Sequence, residues 1–260
     1  MKMHKIRFLL PLILVLSGCE KAPERFTNIA IDVGFKDIAV TLIAYTKDES
    51  TFDTYFQELT NEFSTLGHLF DKYTNFDNIV NLKALNDTAG TGPKVVDQAL
   101  IDLFNESKDW TLRSEYTFNP TLGAVLNIWH DYRDEGKLLN SDVPTQYGSV
   151  PLLSDLELAN ACTGWDNILI DDAANTIEIL NSCTQVDVGG IAKGFAADIV
   201  AEKLKAMGMD SAIINIGDSS ILILSIFKAV YFLHKFLALI SIIIFSSLFL
   251  LFFIFIFLVS

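Results

Sequence analysis

Two adjacent glycines, Gly189 and Gly190, stand between a β-branched run and a helical repeat, and this junction constrains the chain more than any other stretch. Thr176 to Leu180 reads as a short strand, while Ala192, Phe195, Ala196, Ile199, Val200, Lys203 and Leu204 recur at helical spacing. Glycine at such a junction lets backbone approach a ligand with no Cβ in the way. The helix start that follows presents unpaired N–H groups and the positive end of the helix dipole, a site suited to phosphate. Lys193 falls in that first turn, where a cation opposes the dipole, which argues for an anion nearby. A solvated lysine beside a Gly-Gly loop fits the same residues equally well.

Charge narrows the ligand. The formal net charge of −13 argues against nucleic acid, whose phosphates require a basic face. An anionic ligand must then be held by backbone amides, by one or two lysines, or through a metal ion.

The stretch Asp187-Val-Gly-Gly-Ile-Ala-Lys-Gly-Phe-Ala-Ala-Asp198 resembles the D-x-[GS]-[GAS]-I-A-K-G-[YF]-A-x-D segment of the FAD:protein FMN transferases, the ApbE-like lipoproteins. It is not a Walker A loop, which needs Lys-Ser or Lys-Thr after its second glycine. Other pieces of the family pattern follow in order between Ile38 and Gly217. Phe70-Asp-Lys-Tyr73, a short loop and Leu82-Lys-Ala-Leu85-Asn86 resemble the family's tyrosine and S-x-[LI]-x-x-[LF]-N, with Val80 where many members have serine. Tyr116-Thr-Phe-Asn-Pro-Thr-Leu-Gly-Ala-Val-Leu-Asn-Ile-Trp129 resembles G-x-[FVY]-[DN]-[VPI]-[TA]-[VLM]-G-x-[LV]-x-x-[LIV]-W, and its continuation to Arg133 suggests the Firmicutes-type branch.

The resemblance implies an α+β fold of mixed sheet and packed helices, and the transfer of FMN from FAD to a threonine or serine hydroxyl of an acceptor flavoprotein, with AMP released. It places Tyr73 beside the flavin and Thr117, Phe118 and Asn119 against FAD. It makes Asp187 and Lys193 the catalytic and FAD-site residues, with Lys193 against phosphate charge and Asp187 bonding the ligand or holding the loop. The Gly190 carbonyl becomes one ligand of a Mg²⁺ ion, whose other ligands come from C-terminal residues that this chain does not match.

Lys2, Lys5 and Arg7 precede an apolar run from Phe8 to Leu16, the pattern of an export signal. Leu16-Ser-Gly-Cys19 resembles a bacterial lipobox, so residues 1–18 are expected to be removed, Cys19 to be lipidated and residues 19–27 to form a tether. That implies a lipid-anchored protein facing outward from the cell membrane. Cys162 and Cys183 are expected to be unpaired, partly buried thiols, since nothing local brings their Cα atoms within reach.

Between the motifs, Ile38 to Thr46 reads as a core strand, and Lys47 to Ser50 as turn and cap. Phe52 to Tyr73 carries an aromatic stripe of about six helical turns, read as core packing, with His68 alone on it. Pro93 to Lys108 reads as a second helix. Asn119-Pro120 is suited to open a third, with Leu122, Val125, Leu126 and Trp129 as its buried face. His130 and Asp131 adjoin on that helix and point apart, so a structural role is expected rather than an acid–base pair. The pattern Ser154-x-x-Glu157 predicts a capping box, and Trp165 to Ile170 a strand joined to the next by the turn Asp171 to Asn175. Gly208 ends the helix after Gly190, and Ser211 to Gly217 is the next strand.

Past Gly217 the resemblance stops, so the domain is expected over 28–217, with its C-terminal strands missing. Residues 218–260 form an apolar tail, uncharged from Phe236 to Val259 and long enough to span a bilayer. It reads as a membrane anchor, a buried element, or, as we favour on its phenylalanine-rich composition, a departure of the reading frame near Asp218. Ile213 to Ile216 is then expected at an open sheet edge. Three functions follow: a lipid-anchored flavin transferase, a flavin-binding lipoprotein without turnover, or an inactive membrane-inserting fragment.

Overall fold

The computed structural model describes residues 22–35, 38–141, 148–217 and 220–224. The expected signal peptide, Cys19 and the tail beyond Leu224 lie outside these residues.

The larger sheet is antiparallel throughout. Its order is β1 (Glu24–Ile31), β2 (Ala39–Thr46), β6 (Ala212–Ile216) and β7 (Ser220–Leu224). Alternation decides which face is buried: Val40, Leu42 and Ala44 of β2 and Ala212, Ile214 and Ile216 of β6 point inward. Two helices cover that face, α1 (Glu49–Phe70) and α6 (Ala192–Ala206). Leu59, Phe63 and Leu66 of α1 meet a core that includes Ala196, Val200 and Leu204 of α6. Lys203 of α6 reaches Glu58 and Glu62 of α1, each at 2.5 Å, and joins the two helices at the surface.

The smaller sheet has the order β3 (Lys94–Val95), β5 (Thr176–Ile179) and β4 (Ile168–Asp171). It lies against α2 (Leu82–Asp87), and α3 (Gln98–Arg113) closes the core through Leu100, Leu103 and Phe104. Trp165 sets its ring edge against Phe104 and donates its Nε1–H to Thr111 Oγ1 at 3.1 Å. Two further helices, α4 (Gly123–Leu139) and α5 (Leu153–Asn160), pack on each other.

The α+β class and the main periodic elements are as expected; several details differ. The segment read as a tether through Thr27 becomes a paired strand at Glu24. Strand β6 is interior: β7, drawn from the first residues of the apolar tail, takes the edge assigned to Ile213 to Ile216. Helix α3 starts at Gln98, capped by Asp97, because Lys94 and Val95 are recruited into the small sheet. Asn119 caps a short 3₁₀ turn, Pro120–Leu122, from which α4 departs. Among the residues of α4 only Gly123 is fully buried, and Trp129 is 44% exposed. An apolar stripe shows which face can be buried, but does not supply the surface that buries it. The Ser154 box is not formed, since α5 begins at Leu153 with Leu152 in the cap position.

The cysteines are paired. Cys162 and Cys183 form a disulfide with Cα atoms 5.6 Å apart, 21 residues apart in sequence. The end of α5 and the loop after β5 meet in space, and Thr184 Oγ1 donates to the Cys162 carbonyl at 2.6 Å. That proximity is a tertiary fact that spacing alone does not carry.

Candidate functional site

A cavity of about 600 Å³ opens where the loop after α1, the loop between β1 and β2, and the start of α6 converge. That volume is typical of small-ligand sites. Its floor depends on two glycines. Gly34, at φ +73, lies under α1, and a Cβ on Gly67 would come within 2.2 Å of the Gly34 carbonyl carbon. Backbone meets backbone there, so a helix-interior glycine is tolerated despite its conformational cost.

Cations gather at this cavity although the chain is acidic. Lys72, Lys193 and Arg133 all line it, together with Tyr73, Asp187 and Gly189. Lys193 sits in the first turn of α6, as the spacing implies, and among the described residues it has no ion-pair partner. No side chain caps α6, whose N-cap is Ile191, so the helix start is open to a ligand. Arg133 keeps its guanidinium at the rim, paired with Asp134 at 2.9 Å.

Asp187 is committed to the protein. Its Oδ2 lies 2.7 Å from Lys72 Nζ, and its Oδ1 accepts the Gly189 amide at 2.8 Å. Its own amide donates to the Pro120 carbonyl at 2.9 Å. With both carboxylate oxygens engaged, Asp187 holds the glycine loop in shape. Of the two roles expected for it, the geometry favours the loop.

Tyr73 follows α1 by three residues in a turn organised by Asp71, whose Oδ1 accepts the Tyr73 and Thr74 amides. Tyr73 is 62% exposed at the cavity mouth. Partial burial and then the Asp187 carboxylate push its phenol above the ordinary tyrosine range.

A second concavity of about 360 Å³ lies across the same loop, lined by Gly189, Gly190, Lys193, Asp198, Glu106 and Trp110 among others. Burial first, and then Glu106 and Glu202, raise the Asp198 carboxyl above its ordinary value. Thus Tyr73, Asp187 and Lys193 come together, and Gly190 lies on the far side of the loop they share. Thr117, Phe118 and Asn119 line neither cavity. Thr117 Oγ1 donates to the Ser114 carbonyl, and Asn119 Oδ1 accepts from the Thr121 amide and hydroxyl. Phe118 supports the loop from behind, its Cε2 lying 3.2 Å from where a Cβ on Gly190 would stand.

Sequence reasoning missed Lys72 and Arg133. Lys72 stands two residues past the apolar end of α1, and a lysine so close to that end is the available signal. Its carboxylate partner, more than a hundred residues away in the chain, carried no signal.

For a divalent metal the donors are incomplete. Among the described residues no group of three or more His, Cys, Asp or Glu side chains is placed to hold one. One glycine carbonyl does not meet the near-octahedral oxygen demand of Mg²⁺.

Comparison with known proteins agrees with the fold. The ApbE family model matches residues 37–224. A FAD:protein FMN transferase of Treponema pallidum is 31% identical over 137 residues, covering 52% of this chain and 36% of that protein. One from Vibrio cholerae is 25% identical over 209 residues, covering 79% of this chain and 56% of that one. The chain thus spans about a third to a half of these relatives. The apo flavinyl transferase ApbE of Pseudomonas stutzeri superposes with a TM-score of 0.61 at 20% identity, over 78% of this chain and 61% of that one. The ApbE protein of Thermotoga maritima gives 0.60 at 20%, over 78% and 59%.

Proposed function

The chain belongs to the ApbE family, and on that premise we propose that it binds FAD and transfers FMN from it to a threonine or serine hydroxyl of an acceptor flavoprotein. One observation carries the reading: in a chain of net charge −13, Lys193, without an ion-pair partner among the described residues, stands at the open start of α6 in the cavity that also holds the glycine loop and Tyr73.

In such a transfer the acceptor oxygen bonds to the FMN phosphorus, the bond from that phosphorus to AMP breaks, and the hydroxyl proton is released. The residues present contribute positioning and charge. Lys193, Arg133 and the open start of α6 hold the pyrophosphate, and Tyr73 lies against the flavin. Asp187 keeps the loop closed and is not a free base, because both its oxygens are occupied. Mg²⁺ belongs to the proposal through the family resemblance alone, with the Gly190 carbonyl as the one ligand it implies among the described residues.

The same proposal includes a lipid on Cys19 and an outward-facing location at the cell membrane. The Cys162–Cys183 disulfide supports export, since such bonds persist in oxidising compartments. Among the described residues no helix is long and apolar enough to cross a membrane, and the tail lies outside them. Mass spectrometry of the mature protein tests the anchor: an unmodified Cys19 or a retained Met1 overturns it.

The purified full chain should retain FAD and, with Mg²⁺, pass a covalent flavin to a Thr- or Ser-containing acceptor protein, read as in-gel fluorescence. Retention without transfer selects a flavin-binding lipoprotein. Failure to retain FAD overturns the assignment.

A further inference from the structure

Lys72 is 8% exposed, and its ammonium has three close polar neighbours. Nζ lies 2.7 Å from Asp187 Oδ2, 2.9 Å from Asn127 Oδ1 and 3.2 Å from His130 Nδ1. An ammonium has three hydrogens, so these partners use all of them. None is left for a phosphate. Lys72 therefore differs from Lys193: it lines the cavity but is committed to protein groups. Its charge also stands 5.0 Å from the centroid of the Tyr73 ring. Through one side chain, α4, the Tyr73 turn and the glycine loop are joined.

The arrangement demands a particular state of His130. A charged Lys72 can only donate, so Nδ1 must present its lone pair and the ring proton must sit on Nε2. We propose that Lys72 is the positioning residue of the glycine loop and that it holds Asp187 in place only while His130 is neutral.

Protonation of His130 removes the Nδ1 acceptor and sets a second cation against Lys72. The ammonium must then move, Asp187 loses its partner, and the Gly189 amide loses a fixed acceptor. The charged groups facing His130 are Lys72, Asp187, Arg133 and Asp134, and Tyr73 lies beside it with ring centroids 6.4 Å apart. Asp187 and Asp134 favour the proton, whereas burial, Lys72 and Arg133 oppose it, and the balance lowers the His130 pKa. Release of the loop is therefore expected below the ordinary histidine range, as in an acidified surrounding of an outward-facing protein.

The FAD arm of the test rests on the function proposed above, and a ligand-free arm stands apart from it. With the full chain in detergent, amide hydrogen exchange over 187–193 is followed without ligand, and FAD affinity is measured, at about pH 7.5 and pH 5. Relative to the intrinsic amide rate at each pH, the parent loop should exchange faster at the lower pH, and it should bind FAD more weakly there. Lys72→Met should exchange fast at both, and its FAD affinity should fall by roughly tenfold, the scale of one charged hydrogen bond. His130→Gln has an acceptor that does not titrate, and should flatten the ratio between the two pH values. Parent-like exchange in Lys72→Met, or an undiminished acid response in His130→Gln, overturns the proposal. Should Lys72→Met not fold, the His130→Gln ratio decides alone. A parent that shows the exchange pattern without binding FAD sinks the transferase reading and leaves this one standing.

Discussion

The side-chain amide of Asn86 brackets the backbone of Val186: Nδ2 donates to the Val186 carbonyl and the Val186 amide donates to Oδ1, both at 2.9 Å. The two residues are 100 positions apart, and the pair is buried. It pins the chain one residue before Asp187 to the end of α2, so the loop begins from a fixed point.

Asn86→Ala should orphan two buried backbone groups and destabilise the fold by about 2–6 kcal/mol, at about 1–3 kcal/mol for each group. Asn86→Asp should also lose stability at neutral pH, because a carboxylate cannot donate to the Val186 carbonyl. Urea midpoints at constant slope check both, and a midpoint unchanged in Asn86→Ala refutes the bracket.

Gly67→Ala should be worse than a helix propensity scale suggests, because the added Cβ meets Gly34 backbone at 2.2 Å. Alanine normally stabilises a helix interior relative to glycine. Here overpacking should cost about 3 kcal/mol, the upper end of the usual range, since backbone cannot yield as a side chain does. A thermal melt at or above the parent's contradicts this close approach.

Lys193→Ala should weaken FAD binding by about 1.5–3 kcal/mol with little change in stability, because Lys193 has no ion-pair partner among the described residues. Gly190→Val should do more harm, since its side chain would press on the Phe118 ring and intrude on the loop. Both must keep the parent's circular dichroism before titration is read. Unchanged affinity in Lys193→Ala at low salt reduces Lys193 to a solvated side chain.

The Cys162–Cys183 bond closes a loop of 21 residues and should contribute roughly 3 kcal/mol through the unfolded chain. The double Cys→Ser variant should lose about that much in chemical denaturation. Thiol labelling of the unreduced, denatured protein should leave Cys162 and Cys183 unmodified, and full labelling of both refutes the pairing.

Tyr73 carries a pH dependence of known sign. Its folded pKa is raised above the ordinary 10.0, so its contribution to stability is complete below that value and is lost as pH rises through the folded pKa. Difference absorbance of the parent against Tyr73→Phe should show this tyrosine ionising above the ordinary range. Ionisation at or below it contradicts the influence of burial and Asp187.

Much of the fold was legible because it is local. Asp48 caps α1 by accepting the Thr51 amide, the stripe from Phe52 to Phe70 is buried, and Gly208, at φ +99, stands just past the end of α6. Each follows from residues a few positions apart, where propensity and periodicity act. What failed was the assignment of partners. The stripe of α4 found little to cover it, and β6 gained a neighbour from residues read as tail.

At the site the division is the same. The Gly-Gly junction, Lys193 in the first turn of α6 and the Tyr73 segment are properties of short stretches and can be read from neighbouring residues, as can the family. Tertiary structure alone decided that Lys72 meets Asp187, that Asn127 and His130 complete its shell, and that Cys162 reaches Cys183. A charged hydrogen bond or a disulfide depends on ångström distances between atoms far apart in the chain. Those distances follow from how the helices and sheets close on one core, and no spacing along the sequence encodes them.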